Sequence, residues 1–292
     1  MSIIKSLSVG NGDMFYIKHN SDSFSIIDCC ISEEDGESIV KEIKYESKSK
    51  NILRFISTHP DDDHIRGLDY LDSEMKILNF YCVKNNATKS DETADFEKYC
   101  ELRDSDKAFY LYKSCSRKWL NQSNDERKSA GINILWPITD NKYYKEALKK
   151  AENGESPNNI SPIVKYSIEN GVAMLWMGDL ESDFMENIKD DLNLHEVDIL
   201  FAPHHGRDTG NVPEEWLDKM NPKIIIIGEA PSEHLNYYSG YNTITQNSAG
   251  DIIFECVTNK VHIYVSNGDY SVDFLEDENM DTYSNYIGTL NL

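Results

Sequence analysis

The chain has no long apolar run. None of its hydrophobic stretches approaches the roughly 18 residues that span a bilayer. Its first residues, MSIIKSLSVGNGD, lack the charged-then-apolar layout of a secretory signal. A cytoplasmic chain with no membrane partner is therefore expected. No cysteine pair has C-x-x-C spacing, so the six cysteines read as reduced, mostly buried thiols and not as a zinc cage or redox motif. Basic charge is scarce: 29 Lys and Arg stand against 51 Asp and Glu, a net charge of −22. That balance excludes broad, non-specific nucleic-acid binding, which relies on basic surface. It still allows a nucleic-acid enzyme, because bound divalent metals and a local basic patch reverse the field at a site. No internal repeat and no low-complexity linker divides the sequence.

What is present is globular. Of the 292 residues 39% are hydrophobic, enough for a sizeable core. Short apolar strands alternate with helix-like segments along the whole length. Strands are expected at 2–9, 14–18, 24–29, 51–57, 76–83, 132–136, 163–168, 173–177, 197–202, 223–227, 252–257 and 261–265. Helices are expected at 37–45, 65–71, 142–151, 181–189 and 214–220. This order points to sheets covered by helices, an α/β class, within one domain over 1–292. Residues 84–130 differ. They hold ten Lys or Arg against nine Asp or Glu, with several aromatics, and read as a mostly helical insertion.

The densest chemistry is STHPDDDHIRG at 57–67. His59 and Asp61 are two apart, as are Asp61 and Asp63, and His64 follows at once. A turn after a strand aims such alternating side chains at one point. Imidazole and carboxylate suit Zn²⁺ or Mn²⁺, and a cation offsets the repulsion among Asp61, Asp62 and Asp63. The plain alternative is an acidic helix N-terminus, where aspartate is favoured anyway. Two further strand ends weigh against it: Trp176-Met-Gly-Asp-Leu180 and Phe201-Ala-Pro-His-His-Gly206. Four of the eight histidines lie at such ends, where α/β architectures place ligands. One aspartate bridging two metals would complete a dinuclear site.

These residues resemble a known family. Thr58-His59-x-Asp61-x-Asp63-His64 is similar to the THxHxDH signature of the metallo-β-lactamase superfamily, with Asp61 in place of its second histidine. With Ile65, Gly67 and Leu68 following, the pattern resembles the C-terminal hydrolase domain of ComEC-type DNA-uptake proteins, and choline-phosphoesterase relatives share much of it. Ser8-Val-Gly-Asn-Gly-Asp13 resembles the opening DVGQGD of that group, and Ile26-Ile-Asp28 the strand after it. Asn158-Asn-Ile-Ser161 with Val164, Gly178-Asp-Leu-Glu181 and Ala202-Pro-His-His-Gly206 resemble its NNxSxV, GDxE and PHHG elements.

The resemblance implies an αβ/βα four-layer sandwich with a dinuclear site of Zn or Mn at one rim. Carried over, His59, Asp61 and Asp179 would hold one metal. Asp63, His64, Asp179 and His205 would hold the other, with His204 the alternative to His205 or a substrate contact. Asp13 would sit beside the metals, supporting a ligand, or serve only as a turn residue. Two departures stand out: no histidine occurs between His64 and His195, and Tyr237-Tyr-Ser-Gly-Tyr241 replaces the Gly-His-Pro region.

Three functions follow as expectations. The first is phosphodiester hydrolysis, as a nuclease or nucleotide phosphodiesterase. Metal-activated hydroxide would attack, with Asp63 orienting it or taking its proton and His204 protonating the leaving oxygen. Arg66, Arg207 and Lys118, with Lys84, Lys89, Arg117, Arg127 and Lys128, would contact phosphates. The second is hydrolysis of a neutral lactone, ester or amide on the same site. The third is a partner-activated or non-catalytic subunit of a larger assembly, such as a phage-defence system. A basic, open groove separates the first from the closed apolar pocket of the second.

Overall fold

The computed structural model describes residues 1–230 and 237–292. Two sheets pack face to face. Nine strands form the larger, in the order Tyr286–Asn291, Lys260–Val265, Ile252–Val257, Ser2–Ser6, Phe15–Lys18, Ser23–Ile27, Ile52–Ile56, Phe80–Cys82 and Ala108–Tyr110. Six form the smaller: Thr243–Thr245, Ile224–Ile227, Ile199–Phe201, Ala173–Trp176, Ile163–Ser167 and Ile132–Trp136. In each sheet a run of neighbours from Ser23–Ile27 onward, or from Ala173–Trp176 to Thr243–Thr245, is parallel. Such strands are buried on both faces and read as continuous apolar runs, as Ile224–Ile227 does.

Aromatic side chains join the sheets. Phe15 and Phe254 of the larger sheet meet Phe201 of the smaller at ring distances of 5.1 and 5.9 Å, and Trp176 stacks on Phe201 at 4.5 Å. Helices cover both outer faces. Phe24, Ile26, Phe55 and Phe80 of the larger sheet pack under Gly36–Ser47, Leu68–Met75 and Ala94–Arg103. On the smaller sheet Trp136 contacts Tyr144 of Lys142–Glu152 and Phe184 of Ser182–Ile188. The Lys142–Glu152 helix starts where the Asn141 side chain accepts from the Tyr143 and Tyr144 amides, and it buries Tyr144, Ala147 and Ala151 on one stripe. The expected four-layer αβ/βα sandwich is thus the observed architecture. Among the described residues no helix is long and apolar enough to cross a membrane.

Three strands escape the sequence pattern: Ala108–Tyr110, Thr243–Thr245 and Tyr286–Asn291. The 84–130 segment is also not mostly helical. Its one α-helix is Ala94–Arg103, capped by the Thr93 side chain. Ala108–Tyr110 then joins the sheet edge beside Phe80–Cys82. Beyond it, side chains replace a backbone ladder. Asn121 bonds the Arg117 amide and the Cys115 carbonyl, and Asn124 the Arg127 amide. Polar residues that satisfy the backbone locally favour turns over helix.

Phe201→Ala should remove the hub of the inter-sheet stack. A loss of about 3–5 kcal/mol in stability is expected, read from urea unfolding. An unchanged midpoint would contradict the packing described.

Candidate metal centre

The parallel strands of both sheets end at one rim, and the sequence motifs sit there. Asp28 follows Ser23–Ile27, and Thr58 and His59 follow Ile52–Ile56. Asp179 follows Ala173–Trp176, and His204 and His205 follow Ile199–Phe201. Asp13 and Ser161 precede antiparallel strands that start at the same rim. The loop at Gly12 lies close: a Cβ there would fall 2.6 Å from the Asp63 carbonyl, and the Asp13 amide donates to that carbonyl at 3.1 Å. Gly178 has φ +52°, and a Cβ on it would meet Ser161 Oγ at 2.7 Å. Both positions need glycine.

Three buried imidazoles are each held through Nδ1. His64 Nδ1 is 2.9 Å from Asp28 Oδ2. His205 Nδ1 is 3.1 Å from Asp13 Oδ1. His59 Nδ1 lies 3.0 Å from Thr58 Oγ1 and 3.2 Å from Ser161 Oγ. Each leaves Nε2 buried without a hydrogen-bond partner, and Asp179 Oδ1 is in the same condition. His64 Nε2 and Asp179 Oδ1 are 3.0 Å apart, yet not aligned for a hydrogen bond. His205 Nε2 stands 3.5 Å from Asp179 Oδ2 and 3.4 Å from Asp63 Oδ2. Two atoms bound to one ion at about 2.1 Å lie about 3.0–3.4 Å apart. The spacings are those of ligands around a cation. Asp13, His64, Asp179 and His205 form a group that could hold a metal ion, and the unpaired Nε2 atoms fit that use.

The electrostatics agree. Burial would lower His64, but Asp179 and Asp28 outweigh it and hold its pKa well above the ordinary value. Burial opposes His205 likewise, and Asp13 and Asp179 push it up to about 10. Burial and then His64 bring His59 down to about 3. Asp179 is held well below the carboxylate range, because His64 and His205 overcome its burial.

Not every expected residue joins this group. Asp63 does, through His205, with its side chain 22% exposed. Asp61 does not: it caps the short helix Asp62–Ile65, and its carboxylate turns to Lys89 Nζ at 3.0 Å. The ligand set expected around His59 therefore lacks one carboxylate. His204 lies on the more open side, with Nε2 3.6 Å from Asp179 Oδ2 and Nδ1 2.8 Å from Thr209 Oγ1. Arg207 hydrogen-bonds Asn11, beside Asp13. Arg66 turns away, paired with Asp62 at 2.8 Å. Lys118 lies near Asn51 and Ile52, at the opposite end of the strand that delivers His59. That strand places it roughly 15–20 Å from the rim, so it is not a residue of this site.

Sequence reasoning missed Asp28, Thr58 and Ser161 as positioning residues. Asp28 accepts from the Thr58 amide at 2.7 Å and from its hydroxyl at 2.6 Å while holding His64. The usable signal was its place directly after a buried strand, matched by Asp179 at the end of another.

Three outcomes are expected. Asp28→Asn should weaken metal binding about 10–100-fold, since partners that fix a ligand's tautomer matter by that much; equilibrium dialysis reads it, and unchanged affinity would remove Asp28 from the site. Metal binding near pH 7.5 should release protons from His64 and His205, so affinity falls as pH falls. Calorimetry in buffers of different ionisation enthalpy counts them, and zero release would contradict the assignment. Mn²⁺ titration should show one tight and one weaker site, and Lys89→Ala, by freeing Asp61, should tighten the weaker one about tenfold.

No family model matches the chain, and no curated protein matches it in sequence. Among solved structures it is similar to CmlA, a diiron β-hydroxylase from Streptomyces venezuelae, at 11% identity and a TM-score of 0.43, over 78% of this chain. The similar region spans 44% of that protein's chain.

Proposed function

We propose that the chain is a metal-dependent hydrolase of phosphodiesters, a nuclease or a phosphodiesterase on nucleotides. One observation carries the metal dependence: three buried histidines, each fixed at Nδ1, present unpaired Nε2 atoms around Asp179. His59, His64, Asp63, Asp179 and His205 would hold divalent metal, with Zn²⁺ or Mn²⁺ suited to these donors. When bound, such ions lower the pKa of a water and take up charge that develops on a phosphoryl oxygen.

The remaining work falls to the protein. Asp63 faces solvent from beside His205 and orients the attacking water. Its carboxyl stays below the usual range, because His205 and His64 overcome its burial, which suits an orienting anion more than a base. The Thr209 hydroxyl lies 2.8 Å from His204 Nδ1; in the tautomer in which that hydroxyl donates, Nε2 carries a proton that it would pass to the leaving oxygen. Arg207 sits at the rim, hydrogen-bonded to Asn11, and its guanidinium would contact a phosphate oxygen. The groove beside Asp61, about 260 Å³, is lined by Lys89, Thr88, Ser90 and Ser156 together with Asp61, Asp91 and Glu155.

The test is cleavage of single-stranded DNA, double-stranded DNA and bis(p-nitrophenyl) phosphate with added Mn²⁺ or Zn²⁺. Wild type should cleave at least one. Asp63→Ala/His64→Ala should lose at least about 100-fold. Hydrolysis of esters or lactones with every phosphodiester left intact would overturn the reading.

A further inference from the structure

A second concentration of charge, opposite in sign, lies at the far end of the Ile52–Ile56 strand. Arg54 is 1% exposed, on the face of the larger sheet that turns inward. Its guanidinium donates to Ser25 Oγ at 3.2 Å, Ser23 Oγ at 3.5 Å and the Trp119 carbonyl at 3.0 Å. Nε has no partner. All these neighbours are neutral. A buried arginine without a carboxylate is costly, and this chain has 51 acidic residues from which one could have been supplied.

The neighbours add to the positive charge. Arg117 lies over the Phe109 and Tyr81 rings, 4.7 and 5.4 Å from their centroids. Such stacking uses the face of the guanidinium and leaves its in-plane N–H donors available. Among the described residues neither Arg54, Arg117 nor Lys118 forms an ion pair. Arg127 does, with Asp22 at 3.1 Å, and so adds less. The inward face of this sheet edge is covered by the turn at 116–122, which leaves a cavity of about 650 Å³ between them. Asn51, Ser116 and Gln122 add neutral hydrogen-bonding groups to its wall.

We infer that this cavity is a binding site for a small molecule carrying a phosphoryl group, separate from the metal centre. Its volume is in the range of small-ligand pockets. Arg117 and Lys118, neither in an ion pair among the described residues, line the cavity with several neutral donors, over the buried positive charge of Arg54, and match a multiply charged oxyanion. The net charge of −22 disfavours a long polyanion at a surface remote from metal, which selects a small molecule. The occupant is not the substrate of the metal centre, because the cavity opens by Asn51 and Ile52, at the strand end opposite the one that leads to Thr58 and His59. The site does not depend on the hydrolase reading.

Calorimetric titration of the chelator-treated chain with pyrophosphate and with ATP tests this. Saturable binding of at least one is expected, at least tenfold weaker in Arg117→Ala/Lys118→Ala and unchanged in His205→Ala. Binding of both identifies the phosphoryl group alone as the recognised element, while ATP alone adds a requirement for the nucleoside. The inference is overturned if neither binds, if the double variant binds as wild type does, or if His205→Ala abolishes binding.

Discussion

Everything at the rim depends on one constraint: each of three buried imidazoles is fixed at Nδ1 so that Nε2 is committed to the interior of the site. Asp28 fixes His64, Asp13 fixes His205, and Thr58 with Ser161 fixes His59. A buried imidazole nitrogen with no partner is unfavourable. Three of them around one carboxylate would be strongly so in a site with no cation. The fold tolerates the arrangement because it supplies the supporting residues from separate elements of both sheets. The candidate metal centre is thus a property of how the sheets meet, and the Phe15, Trp176 and Phe201 cluster joins them.

The same constraint explains why the two halves of the expected dinuclear site differ. Asp179 and His205 follow strand ends, His64 comes from the short helix Asp62–Ile65, and the three close on one another. Asp61 sits on a turn, and Lys89 offers it a ready partner at 3.0 Å. A surface ion pair of this kind is weak, so an arriving cation competes with Lys89 on modest terms. A metal at His59 would then be coupled to the Lys89 pairing with Asp61.

Much of this was legible in the sequence, for a physical reason. His59, Asp179 and His205 come within a few residues of the end of an apolar run, His64 follows His59 by five positions, and parallel strands deliver their C-terminal ends to one rim. The central strands were legible too, because strands buried on both faces read as unbroken apolar runs. Three features were not. Asp28 is one aspartate after one strand, and its role comes from a left-handed backbone, φ 56°, and from contacts 30 and 36 residues away. Lys118 shares its charge with true rim residues, but charge along a chain says nothing of which end of a strand a turn packs against. The 84–130 segment has helical residues in composition, yet its asparagines and serines bond the backbone locally and hold it in turns.

The proposed metal dependence requires that His64, His205 and Asp179 ligate a divalent ion directly. X-ray absorption at the metal edge of the Mn²⁺- or Zn²⁺-loaded chain reads that shell. It should show imidazole scattering from at least two histidines with nitrogen and oxygen atoms at about 2.0–2.2 Å. A shell of oxygen alone, with no imidazole signature, would place the ion elsewhere and contradict the account.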